Sequence, residues 1–109
     1  MTIRVCIYQT ADGKQPFTTW LHKLKDRGAR SRLRARLARV QLGNLGDCRH
    51  LGTGLLELRI DHGPGYRIYL ARFGSDLALL LCGGDKRTQQ QDIRLARTFM
   101  DDYRKRTRP

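Results

Sequence analysis

The stretch "LLELRIDHGPGYRIYLARFGSDLALLLC", residues 55–82, decides the fold. It holds three strand-like runs separated by short turn signals. In LLELRI, Leu56, Leu58 and Ile60 alternate with Glu57 and Arg59, so a strand with one inward face is predicted. "HGPG" is a turn. In YRIYLARF, Tyr66, Ile68 and Leu70 share one face, and Arg67, Tyr69 and Ala71 the other. "GSD" makes a second hairpin turn. LALLLC is apolar throughout, which marks a central strand covered at least in part on both faces. The three runs form an antiparallel meander.

Working outward, residues 3 to 8 alternate Ile3, Val5 and Ile7 with Arg4, Cys6 and Tyr8, predicting one more strand. After the turn "TADGKQP", Pro16 suits the first position of a helix. Phe17, Trp20, Leu21 and Leu24 recur with helical spacing, and Gly28 ends or bends that helix. A second helix is expected from Ala29 to about Leu42. Ala29, Leu33, Leu37 and Val40 form its narrow apolar stripe. Arg30 and Arg34 flank one side; Arg32, Arg36 and Arg39 flank the other. Such arginines either shield the stripe with their stems or grip phosphates or a partner. "GNLGDCRHLGTG" reads as a glycine-rich loop. Thr88 and Gln91 form a T-x-x-Q capping box that opens a last helix, with Ile93, Ala96, Phe99 or Met100, and Tyr103 on its apolar side. The tail from residue 104 to 109 is expected to fray. The reading is one α+β domain over residues 1–109, ordered β-α-α-β-β-β-α, a small mostly antiparallel sheet with its helices packed on one face.

Charge narrows the partners. Twenty-two Lys and Arg against ten Asp and Glu leave a net charge of +12 on 109 residues. Most of these cations are arginines, which fork onto phosphates and stack on bases. Polyanions, nucleic acid first among them, are the expected partners; an acidic protein is the other kind. The three cysteines have no metal-like spacing and read as idle thiols in a reducing compartment. Neither a CxxC nor an HExxH motif is present, and no metal or cofactor is expected. The longest apolar run is far shorter than the roughly 20 residues that cross a bilayer. With no signal-peptide pattern at the N-terminus, a cytoplasmic protein without membrane contact is expected.

"CGGDKRT", residues 82–88, resembles a phosphate loop only superficially: the first glycine of G-x-x-x-x-G-K-[ST] is missing. The glycines are expected to let the chain turn sharply from strand to helix. Lys86 and Arg87 then stand at the mouth of the sheet, beside a helix N-terminus that favours anions. By strand periodicity, Glu57, Arg59, Arg67 and Tyr69 are expected together on one open sheet face, with Lys86 nearby. That arrangement is either a set of cross-strand ion pairs or a site. His62, in the hairpin turn, is an outside candidate for acid or base work.

The run from "ELR" through "GPGYR", the apolar strand and "CGGDK" into a glutamine-containing helix start resembles the RelE/ParE superfamily of bacterial toxins. Its nearest likeness is the HigB-like "addiction module killer protein" branch related to phage Gp49. "GKQPFTTWLHKLKD" is similar to that family's first helix, and the likeness covers about residues 3 to 103. The resemblance implies a toxin encoded beside an antitoxin, often a helix-turn-helix DNA binder. It implies the element order read above. RelE-like and HigB-like members cut messenger RNA on the ribosome; ParE-like members poison DNA gyrase. By position, Arg67 matches a basic residue used at the scissile phosphate, and Lys86 and Arg87 fall where another basic contact is found. Glu57 and Arg59 occupy the positions of two lysines in RelE. Where RelE carries a tyrosine in its last helix, this chain has Ile93; its nearest aromatics are Phe99 and Tyr103.

The leading expectation is therefore a ribosome-dependent, metal-independent endoribonuclease that inhibits translation. Its candidate catalytic residues are Glu57 as base, with Arg59, Arg67 and Lys86 holding phosphate charge. Arg87, Tyr69, Arg30 and Arg34 are its candidate RNA contacts. A gyrase-binding toxin and a basic nucleic-acid-binding module without toxicity are the alternatives.

Overall fold

The computed structural model describes residues 2–107. Five strands form one sheet in the order β1-β5-β4-β3-β2. They are β1 (Arg4–Ile7), β2 (Cys48–His50), β3 (Leu55–Ile60), β4 (Tyr66–Phe73) and β5 (Leu77–Asp85). The meander is as read: β3 pairs antiparallel with β4, and β4 with β5. β1 lies parallel to β5 at one edge. β2 is an addition. Residues 48–50, expected in a loop, pair antiparallel with β3 and place Arg49 opposite Glu57.

The helices are α1 (Pro16–Lys23), α2 (Arg27–Gln41) and α3 (Gln89–Arg106). They do not share one face, as expected, but divide between two. Phe17 of α1 and Ala29, Leu33 and Val40 of α2 pack on Leu56, Leu58, Ile68, Leu70 and Leu80. Ala96 and Met100 of α3 pack on the opposite face, against Leu55, Tyr69, Ala71, Leu79 and Leu81. This second core is why β5 is apolar on both sides. A bulge between Tyr69 and Leu70 of the β4–β5 ladder turns Leu81 and Cys82 both toward α3. Cys82 is buried there, and desolvation pushes its thiol up to about 12.

Local signals explain the helix ends. Pro16 occupies the first turn of α1. The Asp26 carboxylate accepts from the Ala29 amide at 3.1 Å and caps α2, so Gly28 lies inside α2 and does not end α1. α3 continues through Arg106 into the stretch expected to fray; residues 108 and 109 lie outside the described residues. The start of α3 differs too. Asp85 and Thr88, not Thr88 and Gln91, form the capping box, around a 3-10 turn at Lys86–Thr88 that runs into α3.

The glycine pair of "CGGDK" does not make a turn. Both residues sit inside β5 with ordinary strand conformations, and each admits a close neighbour. A Cβ on Gly83 would collide with the Trp20 ring of α1; one on Gly84 would collide with the Asp92 carboxylate and Thr88 hydroxyl. Glycine is what lets both helical layers approach β5 here. Gly83→Ala is expected to cost about 1–3 kcal/mol by overpacking. Denaturation followed by the fluorescence of Trp20, the one tryptophan of the chain, checks this. An unchanged midpoint would mean that the ring moves aside freely.

Candidate functional site

The sheet face predicted to carry the polar residues does carry them, in two separate halves. Glu57 pairs with Tyr69 across β3–β4, and Arg59 pairs with Arg67 one step further along. α3 covers the first pair and leaves the second open.

Glu57 is 0% exposed. Its Oε2 accepts from the Tyr69 hydroxyl at 3.0 Å and from Gln89 Nε2 at 2.8 Å. Its Oε1 faces Arg49 Nε at 3.4 Å, as an ion pair without hydrogen-bond geometry. The expected ion-pair partners, Arg59 and Arg67, are not the ones it has. A carboxylate sealed under Gln89 does not reach a substrate, so the structure corrects the placement of Glu57 as an accessible base. Tyr69 is corrected likewise. It is fully buried, and desolvation and the Glu57 carboxylate push its phenol far above the ordinary range. It neither stacks on a base nor releases a proton at neutral pH.

Arg59 and Arg67 remain. They lie side by side, half-buried, in a groove of about 540 Å³ together with Lys86, Asp47, Asp61 and the turn 63–65. Like charges directly opposite on a sheet repel. Arg59 is offset by Asp47, at 3.2 Å from its Nη2. Arg67 has no carboxylate partner among the described residues; its Nη1 donates to the Gly65 carbonyl at 2.8 Å. The Nε–H groups of both arginines are shielded from solvent without an acceptor. Each such donor costs about 1–3 kcal/mol when left unmet. Lys86, on the rim, is exposed and unpaired among the described residues. The groove is thus a cradle of three cations, Arg59, Arg67 and Lys86, against two carboxylates, a balance that suits an oxyanion.

The remaining candidates lie elsewhere. Arg87 is bound into the cap: its guanidinium meets Asp85 at 3.1 Å, and that contact raises its already high pKa. It lines a neighbouring hollow at the start of α3 with Lys86 and residues 88–91. Arg30 and Arg34 project from the far flank of α2 and line neither hollow. His62 is tied to the α2 cap, with Nε2 3.0 Å from Asp26 Oδ2. Ile93, Phe99 and Tyr103 pack in the α3-side core; Phe99 stacks on Tyr8.

Sequence reasoning missed Arg36. Taken as one of a solvated flank, it is 7% exposed. Its guanidinium donates to the carbonyls of Leu45 (2.8 Å), Asp47 (2.6 Å) and Arg59 (2.7 Å). Burial lowers its pKa. Gly46, at φ +65°, closes the loop around it, where a side chain would strike the guanidinium. Arg36 therefore holds both Asp47 and Arg59 in place from beneath the groove. A helical period close to Ala29 and Leu33 was the available signal, since it sets Arg36 beside the buried stripe.

The cap that positions Lys86 is expected to weaken in acid. Arg87 and its backbone amide hold the Asp85 carboxylate below its ordinary range. A depressed carboxylate contributes stability above the unfolded value of about 3.9 and loses it as pH falls through the lower folded value. Asp85→Asn is expected to flatten that acid limb in denaturation curves measured against pH. An acid limb identical to the parent's would rule the cap out as its source.

A family model of phage-derived Gp49-like proteins (DUF891) matches residues 19–101, which include α2, the groove and most of α3. The chain belongs to this family. Gp49-like proteins are the addiction-module killer branch of the RelE-like toxins, and the α+β fold with a five-stranded mixed sheet agrees with that membership. Toxins of this kind act beside an antitoxin, so a Gp49-like chain has an antitoxin as a partner in general. A protein of Haemophilus influenzae strain Rd, described as uncharacterized, is 49% identical over 86 residues, spanning 79% of this chain and 87% of the relative. No helix among the described residues is long and apolar enough to cross a membrane.

Proposed function

We propose that this Gp49-like toxin is a ribosome-dependent endoribonuclease that cuts messenger RNA and so stops translation. The observation that carries the reading is the pairing of Arg59 and Arg67 across adjacent strands, both lining one groove with Lys86. A phosphate seated in that groove accepts from the parts of these cations that reach its surface. As the substrate 2′-oxygen attacks, the P–O2′ bond forms, the P–O5′ bond breaks, and negative charge builds on the equatorial oxygens. Fixed guanidinium donors stabilise that charge best where it develops. Arg67, with no carboxylate partner among the described residues, carries most of this task, and Arg59 assists.

Proton transfer uses groups that line the groove. Asp47, oriented by Arg59 through one oxygen, takes the proton of the 2′-hydroxyl. Lys86 delivers a proton to the departing 5′-oxygen. The products are a 2′,3′-cyclic phosphate and a free 5′-hydroxyl, and no metal enters the balance. Glu57 serves from below, as the anchor joining β2, β4 and α3. So sparse a site acts slowly on free RNA; the ribosome supplies the orientation that converts a loose encounter into an in-line attack.

The test is a reconstituted translation reaction with added protein, its messenger ends mapped by primer extension beside a ribosome-free control. New ends that need ribosomes support the reading. Intact message with unaffected synthesis overturns it and makes gyrase supercoiling the next assay.

A further inference from the structure

A second groove, of about 370 Å³, opens beside the first. Arg32, Ala35, Arg36 and Arg39 of α2 line it, and Ile60 and Asp61 form the wall it shares with the phosphate cradle. Arg32 and Arg39 are exposed and make no ion pair among the described residues. Two helical turns set them about 10 Å apart along α2. Between them Arg36 is turned inward and spent on carbonyls. The two free guanidinium groups thus extend the positive charge of Arg67 and Lys86, with Asp61 at the junction and Asp47 paired to Arg59.

We propose that the two grooves form one track for single-stranded RNA, in which Arg32 and Arg39 hold backbone phosphates next to the cleavage site and Asp61 reads a ribose 2′-hydroxyl at the junction. The inference deepens the nuclease reading and rests on it for the identity of the ligand. Asp61 argues for RNA over an acidic peptide. A carboxylate in mid-track repels another carboxylate, but it accepts a hydrogen bond from a ribose hydroxyl, which DNA lacks. Arg30 and Arg34, equal in charge and on the same helix, lie off the track.

Binding of a labelled single-stranded RNA, and of DNA of the same sequence, to the purified full chain tests this across salt concentrations. Arg32→Gln with Arg39→Gln is expected to weaken RNA binding about tenfold and to reduce the salt slope by about 1.4, the value for two phosphates on a single strand. Arg30→Gln with Arg34→Gln, an identical change in net charge, is expected to leave the slope at the parental value. Asp61→Ala, which removes the acceptor, is expected to remove the preference for RNA over DNA. Equal effects of the two arginine pairs, or an unchanged preference in Asp61→Ala, overturn the track. So does an absence of RNA binding by the parent, which leaves the groove to an acidic protein. Message cleavage is scored in parallel. A parent that binds with this pattern yet cuts nothing refutes the nuclease and keeps the track; one that cuts while the two pairs bind alike does the reverse.

Discussion

Arg67→Ala is expected to lower ribosome-dependent message cleavage by about 10²–10³-fold, the usual loss when one fixed donor to a developing oxyanion is removed. The fold should survive. The Arg67 side chain makes a single hydrogen bond, to the carbonyl of nearby Gly65, and faces a like charge across the strand pair. Its removal relieves repulsion and removes a shielded donor without an acceptor, so thermal stability is expected to hold or rise slightly. Arg67→Lys should recover only part of the activity, because an ammonium lacks the planar fork. The same change at Arg59 should cost less, since Asp47 already draws on that charge. End-mapping at matched protein concentration, with circular dichroism as the fold check, measures all three. Parental cleavage by a folded Arg67→Ala protein would mean that the phosphate is held elsewhere.

Arg36→Ala is expected to be the most destabilising of the arginine substitutions, by about 3 kcal/mol or more. The side chain ends in a buried guanidinium that satisfies three backbone carbonyls from two separate segments. Hydrogen bonds to charged groups contribute about 1.5–3 kcal/mol each, and the abandoned acceptors add their own desolvation cost. Its loss frees residues 45–47, which have no regular structure of their own, and unfixes Asp47 and Arg59 together. Cleavage should therefore fall even at temperatures where the variant stays folded. Arg36→Lys should be intermediate, because a single ammonium does not bridge all three carbonyls. Urea denaturation of the parent and both variants decides this. A change of midpoint equivalent to less than about 0.5 kcal/mol, the range of ordinary surface substitutions, would show that water replaces the guanidinium without loss.

The cation-bearing half of the site was legible before the fold was known. Period-two alternation alone puts Arg59 and Arg67 on one face of adjacent strands, and the short turn 61–65 makes them neighbours. The helix carrying Arg32, Arg36 and Arg39 on one flank follows from spacing in the same way. These are local properties: a strand or helix sets the direction of each side chain within a few residues.

What covers that face is another matter. Whether Glu57 meets water depends on α3, more than thirty residues later in the chain, laying Gln89 across it. Alternation cannot distinguish an open polar face from one buried under a helix. The same holds for Gly83 and Gly84, whose turn-like composition hides their place inside β5 between Trp20 and Asp92. It holds again for Arg36, where a few tens of degrees around α2 separate a solvated arginine from a buried one. By itself the sequence determined four of the five strands, the order of the main elements, the excess of positive charge, and the facing of Arg59 with Arg67. Only the tertiary structure decided that α3 seals Glu57 and Tyr69 and that Arg36 turns inward to hold the groove. Those outcomes are set by burial, and burial depends on which distant surfaces meet.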